Sequence, residues 1–310
     1  MEDLIALARA PSLTAAAEQR HITQPAFLRR IRALEETLGV ELAARNARPA
    51  RPSGSLMRSL PHIEGLARSL AHLERELRGQ EPQQPHLTIA VIHTVAMVHI
   101  PQVMASLELA LNGMSLEVQA GDRKDCSAAV MTGAASIAIH LESPLHRQTL
   151  NPELVVQETI GTDWMRPYIG GPPARREALK QRLIGQSGAV PLITLCPDGA
   201  LGEVLREEIL HRSPIAFRTV ATSAFIPAVM SHCVAGNGIA WLPQTLASAE
   251  VAVGRLTPVD TLAALPTAEL QLNMLRARRK QSDLEKRAWQ VLRDELPAER
   301  PAANALRTAS

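Results

Sequence analysis

Apolar residues in the first eighty positions recur at steps of three and four. Phe27, Ile31, Leu34 and Leu38 lie on one helical stripe, with Thr23 as a suitable N-cap, Pro25 in the first turn and Gly39 as a C-cap signal. Leu4, Ile5, Leu7 and Ala8 form a shorter stripe that Pro11-Ser12 breaks. Ser12 or Thr14 can cap a second helix, whose Ala15, Ala16 and Ala17 are small enough for another helix to pack closely, and His21-Ile22 supply a tight turn. From Leu56 to Leu77 the stripe is Leu60, Ile63, Leu66, Leu70, Leu73 and Leu77. Such a seam fits either pairing with a second chain or packing on its own domain, and Pro61 should begin the straight part or kink it.

Beyond this the pattern changes. GQEPQQPH (79–86) is a polar, proline-containing hinge. After it come short apolar runs: LTIAVI (87–92), MSLEVQA (114–120), ASIAIH (135–140), PLITLC (191–196), FRTVA (217–221), GIAWL (238–242) and LQLNML (270–275). Helix-like stretches such as VMASLELAL and ALGEVLREEIL separate several of them. That alternation predicts an α/β carboxy-terminal part with parallel sheets covered by helices, behind an all-α amino-terminal part.

Charge sharpens the picture where net composition does not. The chain is nearly neutral at +2, but Arg20 to Arg58 holds eight arginines against three acids, a local net of +5. A basic block in a neutral chain is the footprint of a polyanion-binding module, or else a solvated face. Aromatics make up 2% of the residues, which disfavours base stacking and points to duplex grooves. At about 100° per residue, Pro25, Arg29 and Arg32 project away from the apolar stripe, with Leu28 and Arg30 on the flanks. A short helix, a tight turn and a second helix with a basic outer face is the helix-turn-helix arrangement, whose second helix enters the major groove. Gln24 can read adenine, and Arg29 or Arg32 can read guanine or hold phosphate. In VELAARNARPARPSGS, Arg45, Arg48 and Arg51 suit a wing that touches backbone phosphates, or a basic loop.

Ser12 to Leu42, SLTAAAEQRHITQPAFLRRIRALEETLGVEL, resembles the winged helix-turn-helix of LysR-type transcriptional regulators. Thr23-Gln24-Pro25-Ala26, Leu34-Glu35 and Leu38-Gly39 match its pattern in order and spacing, and GNGIAWLP (236–243) looks like a motif late in the family's effector domain. The wording around Phe27 and Trp241 looks most like the hypochlorite-responsive branch. Leu28 departs from the family's usual serine, and Ala43 from a phenylalanine that anchors the wing.

The resemblance implies a winged helix-turn-helix (1–58), a linker and dimerisation helix (59–78), the hinge, and an effector-binding domain (87–296) resembling periplasmic binding proteins, with a disordered tail (297–310). Its two subdomains, 87–160 with 265–296 and 161–264, would be joined by two crossing strands. The DNA contacts it implies are Thr14, Thr23, Gln24, Pro25, Ala26, Leu28, Arg29, Arg30, Arg32, Arg45, Arg48 and Arg51. Ligands of open α/β sheets bind at the carboxyl ends of strands, which here carry His93, Thr94, His140, Cys196, Pro197, Thr222 and Ser223. The family resemblance implies Thr94 and then Ser223 as the leading effector contacts, although each equally suits a helix cap.

An oxidant is the rival signal. Arg123 and Lys124 precede Cys126 and favour a thiolate, and Met97 and Met230 are oxidisable, although buried thiols and core thioethers are commonly inert. Cys126, Cys196 and Cys233 are far apart, as suits reduced thiols in a cytoplasmic protein, and MEDLIALARA is no signal peptide. No nucleophile elbow, phosphate loop or metal spacing occurs, so no catalytic residue, metal or cofactor is expected. The expected partners are double-stranded DNA, a small-molecule effector, further copies of the chain in a homodimer or homotetramer, and RNA polymerase; no membrane partner is expected. The reading of another class is an α/β small-molecule binding protein or enzyme whose amino-terminal helices only dimerise. Salt-sensitive duplex binding separates the two.

Overall fold

The computed structural model describes residues 1–44, 51–77, 86–113, 115–185, 188–262 and 264–296. The expected contacts Arg45 and Arg48, the hinge other than His86, and the tail 297–310 lie outside them. The chain divides into two compact units, an amino-terminal one and the remainder.

In the first unit, α1 (Glu2–Arg9), α2 (Leu13–Gln19) and α3 (Gln24–Leu38) surround a small apolar core. Ser12 caps α2, its hydroxyl accepting the Ala15 N–H at 3.1 Å. Ala16 and Ala17 are buried, so the small side chains let α3 approach, and Phe27 and Ile31 fill the space between the helices. His21 adopts a positive φ of 54°, which tightens the corner before α3. Thr23 stands at the N-cap of α3 without a side-chain capping bond, and Gly39 ends that helix at φ 67°. A two-stranded wing follows, β1 (Ala43–Ala44) against β2 (Arg51–Pro52), antiparallel. Next, α4 (Gly54–Leu77) runs unbroken past Pro61 and begins ahead of the expected linker start at 59.

The second unit alternates strands and helices as expected. In chain order these are β3 (His86–Ile92), α5 (His93–Val98), α6 (Ile100–Leu111), β4 (Ser115–Gly121), α7 (Arg123–Met131), β5 (Ile137–Glu142), β6 (Val155–Gly170) and α8 (Pro173–Gly185). Then come β7 (Val190–Leu195), α9 (Ala200–Val204), which continues as a π-helical turn over Leu205–Ile209, and β8 (Phe217–Ser223). The chain finishes with α10 (Ile226–Val234), β9 (Ala240–Pro243), α11 (Gln244–Ala252), β10 (Leu256–Pro258), β11 (Ala268–Ala277) and α12 (Asp283–Glu295). The last helix starts with a full capping box between Ser282 and Glu285.

The larger sheet is mixed, in the order β10-β6-β11-β5-β3-β4, with β9 also on β6. Strands β3, β4 and β5 are parallel; β6 and β11 run antiparallel to each other over most of their length. The first half of β6 pairs with β11 alone, whereas its second half takes β9 and β10 as well. Strands β7 and β8 are parallel and join β9 through a bridge from Leu192 to Ile239. Two lobes therefore share the long strands β6 and β11.

Leu, Ile, Val and Ala make up most of the core, with Trp241 as its largest fully buried side chain. The GNGIAWLP motif has a steric explanation. Gly236 takes φ 79°, and a Cβ on Gly238 would stand 2.5 Å from the Pro191 carbonyl oxygen, which only glycine tolerates. No helix among the described residues is long and apolar enough to cross a membrane.

Candidate nucleic-acid interface and effector cleft

The apolar stripe of α3 decides which of its residues face outward. With Phe27 and Ile31 buried, Gln24, Pro25, Arg29 and Arg32 stand exposed, while Ala26 and Leu28 are half-buried at the edge. Arg29 and Arg32 have no ion-pair partner among the described residues, which leaves both guanidinium groups free for phosphate or guanine. Thr14 Oγ1 donates to Gln24 Oε1 at 3.4 Å, tying the first turn of α2 to the start of α3 and leaving the Gln24 NH2 free of that bond.

Arg30 departs from expectation. Its guanidinium lies 3.3 Å from Asp3, which also pairs with Arg20 at 2.8 Å, so it braces α3 against α1 instead of joining the outer face. The Asp3 carboxylate on the neighbouring helix captures a flank arginine. Glu35 has a structural task that its place in the motif did not disclose: its Oε1 accepts the Leu42 and Ala43 N–H groups at 2.8 and 3.1 Å, pinning the start of the wing to α3. Arg51 is exposed on β2. Next to the wing, an open hollow is lined by Leu13, Leu28, Ile31, Arg32, Ala43 and Ala44. The small Ala43 leaves that space unfilled.

In the second unit the expected effector residues fall into two groups. At the end of β3, His93 meets Phe225 edge-on with ring centroids 4.9 Å apart, joining the first turn of α5 to the residue before α10. Ser223 bonds locally, accepting the Phe225 N–H at 3.0 Å, and its backbone oxygen accepts the Cys196 N–H at 3.0 Å. Thr222 and Pro197 are exposed, and Cys196 is half-buried. Thr94 is buried, and its hydroxyl has no protein partner.

His140 belongs to the second group, beneath α7. It is fully buried, neither ring nitrogen makes a hydrogen bond, and its Nε2 lies 3.7 Å from Glu142 Oε2. Glu142 is the hub of this group. Its Oε1 accepts from Gln157 Nε2 at 2.8 Å and Asn273 Nδ2 at 2.9 Å; its Oε2 accepts from the Gln148 N–H at 3.0 Å and Arg123 Nη1 at 3.4 Å. Burial opposes the charge, but the His140 ring, the Gln148 N–H and the Gln157 amide together bring the carboxyl down to about 2. Asn273 sits at a bulge in the β6–β11 pairing and also accepts from Thr159 at 2.6 Å.

Arg123 then reaches the other lobe. It donates to the His146 carbonyl at 2.7 Å, and its Nη2 lies 3.9 Å from Glu203 on α9. His146 Nε2 lies 3.5 Å from Glu208 in the π-helical turn. A cross-lobe clasp of this kind joins residues far apart in sequence, and spacing alone gave no sign of it.

Cys126 is corrected by its surroundings. Burial, reinforced by Asp122 and Asp125, pushes the thiol up to about 12, so it stays protonated despite Arg123 and Lys124. Burial pushes Cys233 up to about 12 as well. Met97 is exposed, and Met230 packs half-buried against the core.

Residues 80–297 match the LysR substrate binding domain, and residues 1–54 match the bacterial regulatory helix-turn-helix protein of the lysR family. The chain belongs to the LysR family. It is therefore a DNA-binding transcriptional regulator with a substrate-binding domain. Among relatives, the regulator YjiE of Escherichia coli is 23% identical over 298 residues, covering 94% of this chain and 92% of its own. CbbR of Xanthobacter flavus is 25% identical over 266 residues, covering 83% and 76%. Full-length HypT of Salmonella typhimurium, a hypochlorite-specific LysR-type regulator, has the same fold at TM-score 0.57 and 22% identity, covering 96% of this chain and 97% of that one. DarR of Vibrio fischeri, solved in complex with DNA, matches at TM-score 0.55 and 22% identity, covering 94% and 97%.

Proposed function

We propose that this LysR-family regulator works in the cytoplasm without catalysing a reaction. It places the outer face of α3 in the major groove of duplex DNA, with Gln24 reading a base edge and Arg29 and Arg32 on guanine or phosphate. Thr14, Thr23, Pro25 and Ala26 flank that contact, and Arg51 with Arg45 and Arg48 serves the backbone beside it. Two chains pair along α4, where Leu66 and Leu70 are about half exposed, at 46% and 47%. A homodimer results, or a homotetramer when dimers pair, and RNA polymerase is a further partner of DNA held in this way.

A small-molecule effector binds between the lobes near Thr94, His140, Cys196, Pro197, Thr222, Ser223 and His93. It favours one closure of the lobes and so changes the spacing of the DNA-binding pairs. The observation that carries the reading is that Arg29 and Arg32, exposed on α3 away from Phe27 and Ile31, have no ion-pair partner among the described residues. Purified protein incubated with genomic fragments should retain a defined subset, with affinity falling steeply as salt rises. Retention of no fragment in dilute buffer would refute the reading.

Exposed Met97, Met104 and Met131 favour thioether oxidation as the second signal, ahead of the buried, protonated thiols of Cys126 and Cys233. Oxidant-treated protein with changed DNA affinity and sulfoxide at these methionines supports it. Unchanged affinity after complete sulfoxide formation removes it.

A further inference from the structure

Leu28 is the largest apolar side chain beside the exposed residues Gln24, Pro25, Arg29 and Arg32 of α3. Leu28 is half-buried, yet it does not belong to the apolar side chains packed against the core formed by Phe27, Ile31 and their neighbours. Its inner side borders the open hollow shared with Leu13 and Arg32. By helical geometry it stands about 40° from Gln24 and about 40° from Arg32, one turn from each. It therefore lies between a polar reader and a cation.

Leucine can neither donate nor accept a hydrogen bond, so it reads no base edge in the way Gln24 does. A helix docked in the groove would nonetheless desolvate it. In unmodified DNA the major groove presents one apolar group, the 5-methyl of thymine. We propose that Leu28 determines sequence specificity by apolar contact with a thymine methyl, beside the base that Gln24 reads. The proposal rests on α3 being the reading helix.

The test begins with selection of tight-binding duplexes from a random library by the full-length protein. Each thymine of the selected site is then replaced singly by deoxyuridine, which removes only the methyl. Wild type should bind about fourfold more weakly at one thymine per bound chain, the ratio that corresponds to ~0.8 kcal/mol for a buried methyl at 1.4 kcal/mol per tenfold. Leu28→Ala should bind the thymine and uracil duplexes alike, whereas Gln24→Ala should keep that preference. The wild-type arm needs no variant, and circular dichroism checks that Leu28→Ala folds.

Indifference of wild type to uracil at every position overturns the proposal, and so does an undiminished thymine preference in folded Leu28→Ala. If the library yields no enriched sequence, the reading of α3 falls and Leu28 falls with it. Normal enrichment without methyl dependence removes only the Leu28 assignment.

Discussion

Replacing Glu142 by glutamine removes one negative charge and little volume from the centre of the buried network in the second unit. The side chain is about 1% exposed and accepts from Gln157, Asn273, Gln148 and Arg123. Its carboxyl is held at about 2, against an ordinary value of 4.5. A depressed acid stabilises the fold above its unfolded value, and that stability is lost as pH falls through the folded value. At 1.36 kcal/mol per unit, the depression is equivalent to ~3 kcal/mol at pH 7. Glutamine imitates the protonated acid, so Glu142→Gln should unfold about 3 kcal/mol more readily at pH 7, and the gap should narrow to about 1 kcal/mol near pH 3. Trp164, Trp241 and Trp289 all lie in this unit, so urea unfolding followed by tryptophan fluorescence reports on it specifically. The other carboxylates are common to both proteins and cancel in the difference. A gap that stays constant from pH 7 to pH 3, or no gap at pH 7, would refute the account of Glu142 as a charged hub.

Other perturbations test other parts of the molecule. Gln24→Ala should lose about 1 to 3 kcal/mol of discrimination between operator and random DNA in competition gel shifts, and unchanged selectivity removes Gln24 from the readers. Leu70→Asp places a charge on the exposed seam of α4 and should give monomers in sedimentation velocity; an intact oligomer locates the seam elsewhere. Gly238→Ala drives a Cβ to 2.5 Å from the Pro191 carbonyl and should destabilise the second unit by about 1 to 3 kcal/mol, visible as a lower urea midpoint.

What the sequence made legible follows a physical rule. Stripes set by a local period were readable: Phe27, Ile31 and Leu34 define α3, and the apolar runs of β3, β5 and β7 mark strands buried on both faces. Strand β6 escaped notice because VVQETIGTDWMRPYIG interleaves polar residues with apolar ones and pairs with several partners along its sixteen residues. Side-chain partners set by the fold were out of reach too. Asn273 meets Glu142 across 131 residues, and Asp3 captures Arg30 from a different helix. At Cys126 burial in space outweighs the cationic neighbours in sequence, as the inert-thiol alternative expects.

The effector reading gains weight from where polar groups go unpaired. Buried donors and acceptors without partners cost about 1 to 3 kcal/mol each, so a folded chain keeps few of them. Among the described residues, Glu250 is offset by its ion pair with Arg255, and Arg276 by the Trp289 ring beneath it. The other buried atoms without a hydrogen bond are the Thr94 hydroxyl, Arg123 Nε, both His140 ring nitrogens and Glu208 Oε1, of which His140 Nε2 and Glu208 Oε1 have only long contacts, 3.7 Å to Glu142 and 3.5 Å to His146. Arg123 and His146 bring the first lobe within 4 Å of Glu203 and Glu208 on the second, so Arg123 and Glu208 are poised where a change in lobe closure would be felt. A small polar molecule that offers Thr94 an acceptor recovers part of that cost, and one that displaces Glu203 or Glu208 loosens the clasp. Binding and lobe movement would then draw on the same unpaired groups, which couples the signal to the switch without a separate device.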